Sequence, residues 1–156
     1  MSNKLNILFL CGWYPSKVLP NNGDFIERHA LAVSKKCNVT VVHIISDENQ
    51  TKEIEIVSRE NQGIKEHIAY LKSTENPILK SLLFLKAFFK LLKLIPKIEV
   101  VHLNEIYPFG IFSLYLKWFQ KKPFLISEHF TGYHQPKAKK LSLLRIITSK
   151  IITKNA

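Results

Sequence analysis

The sequence predicts an α/β fold of the Rossmann-like type, a three-layer sandwich around a mostly parallel sheet. Hydrophobic runs of strand length alternate with amphipathic helical patterns along most of the 156 residues. Loops carrying Gly, Pro and Asn follow these runs, as is typical where the carboxyl ends of parallel strands border a ligand crevice. With 46% hydrophobic residues and no internal repeat, the chain is expected to form one domain over residues 1–156.

The first unit is a strand, a loop and a helix. An apolar run over 5–11 predicts the strand, and Phe25 begins a helical pattern that extends to about residue 36. The nearly continuous apolar run 38–45 predicts a second strand that is buried on both faces. A right-handed crossover is the expected connection between the two strands.

The start of this helix carries a capping signal. Asp24 precedes it and Glu27 follows three residues later, which predicts a capping box. Gly23 allows either a left-handed turn after Asn22 or the close approach of a phosphate to the backbone, and both interpretations remain open.

Two alternating segments, 53–57 and 64–71, predict a pair of edge strands with one solvated face, joined through residues 61–63. An exposed helix over 64–72 is the alternative. The second half then alternates again, with a strand over 98–103, a helix over 111–119 and a strand over 124–127. A basic helix over about 141–152 closes the chain.

A long helix over 77–95 separates these two parts, with Pro77 in its first turn. Its lysines recur at spacings of four, three and four and form one stripe: Lys86, Lys90, Lys93 and Lys97. Apolar residues cover most of the remaining circumference. The pattern fits a core helix with a solvated lysine ridge, or a helix whose lysines rest on anionic lipid headgroups.

The net charge of +11 lies entirely in the second half. Residues 1–76 carry nine basic and nine acidic side chains, whereas residues 77–156 carry fourteen and three, so 14 − 3 = +11. This asymmetry indicates a basic face and a negatively charged partner.

The cysteines and the N-terminus indicate a cytoplasmic protein. Cys11 and Cys37 lie in strand-like contexts without a metal-binding spacing, which predicts buried, reduced thiols. We find no secretory signal in the first residues, and no stretch approaches the roughly 20 apolar residues that cross a bilayer.

Polar residues recur where the predicted parallel strands end, notably Asn104 and Glu105, then Glu128 and His129. His129 fits a proton carrier, a hydrogen-bond donor to a substrate, or a structural histidine. Pairing it with His134 does not give a metal-ligand spacing. Neither GxGxxG nor GxxxxGK[ST] occurs, which disfavours nicotinamide dehydrogenases and P-loop NTPases.

Three segments carry a family resemblance. The stretch NILFLCGWYPSKVLPNNGDFIERHALAVSKKCNVTVVHI resembles the N-terminal opening of family-four retaining glycosyltransferases of the two-domain GT-B type. The segments VVHLNEIYPFG and LISEHFTGYH resemble that family's fourth and fifth Rossmann strands with their ligand loops. The resemblance therefore runs nearly end to end and implies the N-terminal half of a GT-B fold.

The resemblance also implies roles for individual residues. His129 would be the catalytic strand-end histidine beside the donor sugar and the acceptor, and Gly23 with Asn22 would face the donor diphosphate. Residues expected to line the acceptor side are Asn104, Glu105, Tyr107, Thr131 and Tyr133. Trp13 and Tyr14 either stack on a sugar ring or pack at the sheet edge.

Family members continue into a second Rossmann domain that holds the nucleotide sugar. We therefore expect residues 1–156 to be a truncated acceptor-side domain, inactive without that C-terminal partner. The complete enzyme would use a nucleotide sugar as its donor substrate, with no cofactor and no metal. A sugar or lipid-linked acceptor and the anionic inner face of the cytoplasmic membrane are the other expected partners.

A non-catalytic binding domain that uses its basic face for anionic lipid is the alternative. Nucleic acid is a weaker candidate partner, because the lysines between residues 80 and 97 alternate with aliphatic residues more than with stacking aromatic ones, and arginine is scarce.

Overall fold

A computed structural model describes residues 4–129 and 143–156. Its strands form one sheet in the order β3-β4-β2-β1-β5-β6, which confirms the mostly parallel α/β architecture. In chain order the elements are β1 (Asn6–Cys11), α1 (Asp24–Ser34), β2 (Asn38–Asp47), β3 (Ile54–Asn61), β4 (Ile64–Lys72), α2 (Pro77–Leu92), β5 (Val100–Asn104), α3 (Gly110–Gln120), β6 (Phe124–Ser127) and α4 (Leu143–Lys154).

Strand β1 lies near the middle of the sheet. It pairs in parallel with β2 on one side and with β5 on the other, so that Leu8 lies between Thr40 and Val101. Strand β6 adds to β5, again in parallel. The chain thus moves outward in both directions from β1, and the order of the strands reverses between β1 and β5. Ligands bind beyond the carboxyl ends of the strands at such a reversal.

The hairpin is confirmed, but the prediction that both of its strands are edge strands is wrong. Gln62 and Gly63 form a two-residue turn with φ of 48° and 84°, as the hairpin turn requires. Strand β3 is the edge, whereas β4 pairs in parallel with β2 from Lys65 to Lys72 and is buried on both faces. Glu66 gave β4 the alternation of a solvated strand, yet this side chain is fully buried.

Each face of the sheet has its own core. Helices α2, α3 and α4 cover one face, where Phe88 and Phe112 stack with their ring centroids 3.8 Å apart. Helix α1 covers the other face over β1, β2 and β4, where Phe9, Val41 and Ile68 are buried. Both faces of the central strands therefore exclude water, which explains their nearly continuous apolar sequences.

Helices α1 and α2 begin in different ways. Asn76 caps α2, because its side chain accepts hydrogen bonds from the N–H groups of Ile78 and Leu79 at 3.0 and 3.2 Å. Helix α2 ends at Leu92, three residues before the predicted end. Helix α1 has Gly23 at its N-cap position and no side-chain cap.

The capping box predicted for α1 is therefore wrong. Asp24 is already the first helical residue, and its carboxylate pairs with Arg28 at 2.7 Å. Glu27 accepts a hydrogen bond from Asn61 on β3 instead of returning to the start of its own helix. Because the left-handed Gly23 turns the chain at this point, Asp24 lies one residue too late to cap.

Both cysteines are free thiols, Cys11 buried and Cys37 half-buried. Burial raises the pKa of the Cys11 thiol well above its usual range. None of the helices in the described parts of the chain is long and apolar enough to span a lipid bilayer.

Candidate functional site

Three polar strand ends lie side by side at the carboxyl edge of the sheet. Cys11 at the end of β1 is in register with Asn104 at the end of β5, and Asn104 is in register with Ser127 at the end of β6. The residues that follow these strands, Gly12, Glu105 and Glu128, therefore meet at one edge. The sequence placed these segments at strand ends, and the sheet order brings them together.

Glu105 is the central carboxylate of this edge. Its side chain is only 6% exposed, and its backbone has φ of 79°, a left-handed conformation that is uncommon outside glycine. Gly12 gives it room, since a Cβ added there would lie 2.1 Å from Glu105 Oε2. Backbone hydrogen bonds from Gly12 N–H to Asn104 O and from Glu105 N–H to Ser127 O fix both residues to the sheet.

The environment of Glu105 favours its protonated form. Burial, followed by the charge of Glu128, raises the pKa of this carboxyl to about 7 against an opposing effect of Arg145. A carboxyl group that titrates near neutral pH in a cleft is a candidate for proton transfer or for donating a hydrogen bond.

Glu128 orients the end of β6. Its two oxygens accept hydrogen bonds from the backbone N–H groups of Ile106 and His129, both at 2.9 Å. It therefore joins the loop after β5 to the loop after β6. Tyr107, in the same β5 loop, is 55% exposed, and its ring lies 5.1 Å from the Arg145 guanidinium carbon of α4.

Asn104 lies at this edge, and its predicted acceptor-binding role stays a prediction. The side chain is fully buried, and its Nδ2 donates to the His102 carbonyl at 3.3 Å. Thr131 and Tyr133, the other residues predicted for this side, lie outside the described residues.

Gly23 is explained by backbone packing without a ligand. Its φ is 75°, and an added Cβ would lie 2.6 Å from the carbonyl carbon of Trp13 and 2.7 Å from its oxygen. Asn22, beside it, is half-buried, and its N–H donates to Leu19 O at 3.3 Å. A role of these two residues toward a diphosphate stays a prediction.

Tyr14 does not face the cleft. Its ring is fully buried, and its hydroxyl donates to Glu66 Oε1 at 2.8 Å. Glu66 also accepts hydrogen bonds from Arg59 and Asn61. Packing is therefore the role of Tyr14, whereas Trp13 stays half-exposed, edge-on to Phe25 at 6.5 Å.

A histidine cluster lies next to the contacting rings of Trp13 and Phe25. The ring of His129 is 4.7 Å from Phe25 and 6.2 Å from His29, which lies one turn further along α1. Burial lowers the pKa of His129, and the neighbouring His29 lowers it further, against an opposing effect of Glu128. The sequence placed Phe25 and His29 on one helix face but did not reveal that His129 packs against them.

His102 completes the cluster from β5. Its Nε2 lies 2.8 Å from Ser127 Oγ, and its ring contacts Phe9 at 4.5 Å. Burial, followed by the charges of His29 and His129, lowers its pKa to about 4. No group of three or more His, Cys, Asp or Glu side chains within residues 4–129 and 143–156 could hold a metal ion.

The lysine stripe of α2 lies away from this edge. Lys86 pairs with Glu53 on the segment before β3 at 2.8 Å, and Lys97 pairs with Glu99 at 3.1 Å. Lys90 and Lys93 are exposed and have no carboxylate within 4.0 Å among the described residues. Two of the four predicted lysines thus have no carboxylate within ion-pair distance among the described residues, although the charge of Lys90 contributes to the lowered pKa of Glu53.

Beside these lysines runs a row of exposed apolar side chains, here called the α2 apolar stripe: Ile78, Leu82, Leu85 and Phe89, which are 72, 57, 42 and 36% exposed. The row continues onto α3, because Phe89 contacts Tyr115 at 5.1 Å and Tyr115 stacks on Phe119 at 5.3 Å. Phe119 itself is 74% exposed. This contiguous apolar surface faces solvent in the described structure.

Comparison with known proteins supports the fold. The search of solved structures found sucrose-phosphate synthase from Thermosynechococcus elongatus, a GT-B glycosyltransferase, with a TM-score of 0.55 and 14% sequence identity. The match covers 98% of this chain and 41% of that enzyme, so the chain spans about two-fifths of its length. No family model and no curated protein matches the sequence. The chain is therefore similar to part of a glycosyltransferase in fold.

Proposed function

We propose that this chain is the N-terminal, acceptor-side domain of a nucleotide-sugar-dependent retaining glycosyltransferase that builds a cell-surface polysaccharide or glycolipid. The observation that carries the proposal is the meeting of Glu105, Glu128 and His129 at the carboxyl edge of the sheet, with Glu105 packed against Gly12. The likeness of nearly the whole chain to part of a GT-B enzyme supports it.

The chemistry of this edge suits a sugar hydroxyl. A carboxyl group whose pKa is about 7 both donates and accepts hydrogen bonds near neutral pH, as a sugar hydroxyl does. His129 offers an imidazole whose lowered pKa keeps it neutral, and Glu128 holds the backbone N–H of that residue in place. In this proposal Glu105 and Tyr107 bind the acceptor, and His129 lies beside the bond that forms.

The donor half of the reaction belongs to a second Rossmann domain in the complete enzyme. That domain would bring the nucleotide sugar over the loop that contains Asn22 and Gly23. The present chain alone would then bind the acceptor without transferring sugar, and neither a metal nor a cofactor takes part.

The surface of α2 supports docking on an anionic membrane, where lipid-linked acceptors lie. Lys90 and Lys93 provide charge without a carboxylate in ion-pair distance among the described residues, and the α2 apolar stripe provides residues that enter the headgroup region. Lysines beside an apolar stripe suit lipid better than a second copy of the chain, whose own lysines would repel them.

A transfer assay tests the enzymatic part. The complete gene product that contains this chain is incubated with a panel of nucleotide sugars and with lipid-linked acceptors, and the anomeric configuration of the product is read by NMR. We expect transfer with retention, and a loss of at least tenfold in kcat/KM for Glu105→Gln, about the worth of one hydrogen bond to a charged or buried group.

Glu60→Gln is the matched control, because this glutamate is exposed on the edge strand β3. The enzymatic proposal fails if the complete gene product binds none of the nucleotide sugars in isothermal titration.

Cosedimentation with vesicles tests the membrane part. Vesicles rich in phosphatidylglycerol should retain the chain, and the double change Lys90→Glu and Lys93→Glu should release it. Lys35 and Lys36, exposed at the end of α1 on the opposite side of the sheet, give a control of equal charge. Indifference to both pairs of changes would rule out docking through α2.

The same assays distinguish the alternative, a non-catalytic domain that binds anionic lipid, which the α2 apolar stripe independently favours. Retention on anionic vesicles, together with no nucleotide-sugar binding by the complete gene product, would support that alternative.

A further inference from the structure

Strand β3 forms an open edge of the sheet. It pairs with β4 on one side, and no described strand lies on its other side. All eight of its residues are exposed or half-exposed, and Val57 near its middle is 41% exposed. The strand contains no proline, and its ladder to β4 runs without a bulge. An edge of this kind is a template on which another strand can pair.

Every second residue of β3 directs its backbone polar groups outward. In an antiparallel ladder, residue pairs that exchange hydrogen bonds alternate with pairs that do not. The N–H of Lys72 donates to the Glu53 carbonyl at 3.1 Å, so this pair is one that bonds. With the same alternation Glu55, Val57 and Arg59 bond to β4. The N–H and C=O groups of the intervening residues therefore point away from the sheet: Ile54, Ile56, Ser58 and Glu60.

A second copy of β3 fits this outward side in an antiparallel arrangement. Outward-directed residues must lie opposite one another to exchange hydrogen bonds, so only registers that place even-numbered residues opposite even-numbered ones are allowed. One of these registers places Val57 opposite Val57 of the second copy. Residues 54–60 then pair in full, and Ile56 lies opposite Ser58. Each outward pair exchanges two backbone hydrogen bonds.

Charge selects this register among the allowed ones. Glu55 and Arg59 lie on the same face of β3 as Val57, two residues to either side of it. With Val57 on the two-fold axis, Glu55 of each copy lies opposite Arg59 of the other. These positions belong to the pairs that do not exchange hydrogen bonds, where opposite side chains are closest. A shift of two residues in either direction places Glu55 opposite Val57 or Asn61 instead.

Both charged groups have capacity for a further partner. Glu55 accepts hydrogen bonds from Lys17 and Gln50 through Oε2, whereas its Oε1 accepts none from the described residues. Arg59 donates to Glu66 through Nε, and its side chain is 51% exposed. The N–H groups of the two Nη atoms of a guanidinium provide further donors. An ion pair across the axis therefore does not require either residue to leave its present partner.

We propose that two copies of this chain pair through β3 and join their sheets into one continuous sheet. A second copy suits this edge, because residues 1–76 carry no net charge and the basic excess lies in the second half of the chain. Such a contact is isologous, and its two-fold axis is perpendicular to the sheet. The α2 helices of the two copies therefore lie on the same side of the joined sheet.

This arrangement has a consequence that rests on the proposed function. A membrane that binds α2 of one copy would also meet α2 of the other, because both face the same side. Two linked contacts hold a surface more tightly than one, since the second binding event becomes intramolecular. Pairing through β3 should thus strengthen retention on anionic vesicles.

Sedimentation equilibrium of the 156-residue chain tests the pairing. The average mass should rise from 18.1 kDa towards twice that value as the protein concentration increases. Val57→Lys places two like charges opposite each other on the axis and should weaken dimerisation about tenfold. Ala32→Lys adds the same charge on the exposed side of α1 and should leave dimerisation unchanged.

Cysteine crosslinking tests the register. In a Cys37→Ser background, Val57→Cys places two thiols opposite each other at a distance that allows a disulfide, so mild oxidation should give a covalent dimer. Ser58→Cys is the matched control, because its own counterpart lies off the axis, and it should crosslink at least about tenfold more slowly. Cys11 is buried and does not contribute to crosslinking.

Several results would overturn the proposal: a mass of 18.1 kDa at every concentration, undiminished dimerisation of a folded Val57→Lys variant, or crosslinking through Ser58→Cys as fast as through Val57→Cys. Circular dichroism checks the fold, and the crosslinking rates decide if Val57→Lys does not fold. Vesicle retention by a chain that stays monomeric would overturn this inference alone. Dimerisation without retention on anionic vesicles would overturn only the membrane part of the proposed function.

Discussion

Gly23 and Gly63 offer a matched test of how the loop before α1 is held. Both have a left-handed backbone, with φ of 75° and 84°. Alanine at either position therefore has the same intrinsic backbone cost, about 1–2 kcal/mol. The surroundings differ, because a Cβ at Gly63 has nothing within 4 Å, whereas one at Gly23 would lie 2.6 Å from the carbonyl carbon of Trp13 and 2.8 Å from the nitrogen of Tyr14.

The atoms near Gly23 belong to the backbone, so no side-chain rotation relieves the contact. The loop itself must therefore move. The hydrogen bond from Tyr14 to Glu66 opposes this movement, because it fixes Tyr14 in place. Overpacking of this kind costs about 1–3 kcal/mol. We therefore expect Gly63→Ala to lower the free energy of unfolding by about 1–2 kcal/mol and Gly23→Ala to lower it by about 2–5 kcal/mol.

Urea unfolding at pH 7, followed by far-UV circular dichroism and by tryptophan fluorescence, measures both losses. The m-value should stay unchanged, so that the midpoints report stability. Trp13 adds a local signal, since its carbonyl is the group displaced. Losses that agree within about 0.5 kcal/mol for the two variants would refute the packing account of Gly23.

Three further changes test other parts of the structure. Glu105→Gln should remove a pH dependence of the free energy of unfolding. Between pH values of about 4.5 and 7, the folded protein keeps the proton on the Glu105 carboxyl, whereas the unfolded chain has released it. The free energy of unfolding of the wild type therefore falls across that window by on the order of 2–3 kcal/mol. Urea midpoints at pH 4 and pH 8 should show that the stability of the variant relative to the wild type increases as the pH rises. Tyr14→Phe should cost about 1–3 kcal/mol in the same unfolding assay, because buried Glu66 loses a donor, whereas Tyr115→Phe removes a hydroxyl without a hydrogen bond among the described residues. Asn76→Ala should cost about 1 kcal/mol and reduce the helical circular dichroism, because it uncaps α2.

Each of these has a contrary outcome. A constant difference between Glu105→Gln and wild type from pH 4 to pH 8 would show that the carboxyl titrates normally. Equal costs for the two tyrosine changes would show that the contact with Glu66 contributes nothing. For Asn76, the exposed Asn21 serves as control, and equal losses there would argue against capping.

Local patterns were sufficient for most of the fold. The β-branched run of β2 and the apolar runs of β1 and β5 predicted buried parallel strands, because a strand covered on both faces has no polar alternation. Glycine in the turn at Gly63 predicted the hairpin for a similarly local reason. The meeting of Glu105 and Glu128 followed from the rule that parallel strands end at one edge.

The errors arose where tertiary contacts decide. Glu66 had the pattern of a solvated strand residue, and the donors from Tyr14, Arg59 and Asn61 make its burial tolerable. The capping box failed because a left-handed glycine, which sequence spacing does not reveal, sets the start of α1. His29 and His129 lie a hundred residues apart, so no periodic pattern connects them.

The contact between Tyr14 and Glu66 also has a consequence for how mutations act at a distance. It ties the loop beside the cleft to the outer hairpin, and Lys17 adds a second tie through Asp47 and Glu55 at 3.2 Å. The shape of the loop after β1 thus depends on strands at the outer edge of the sheet. Changes in the hairpin therefore act as remote modifiers of the cleft, and grafting this loop onto another sheet would require transferring its hairpin as well.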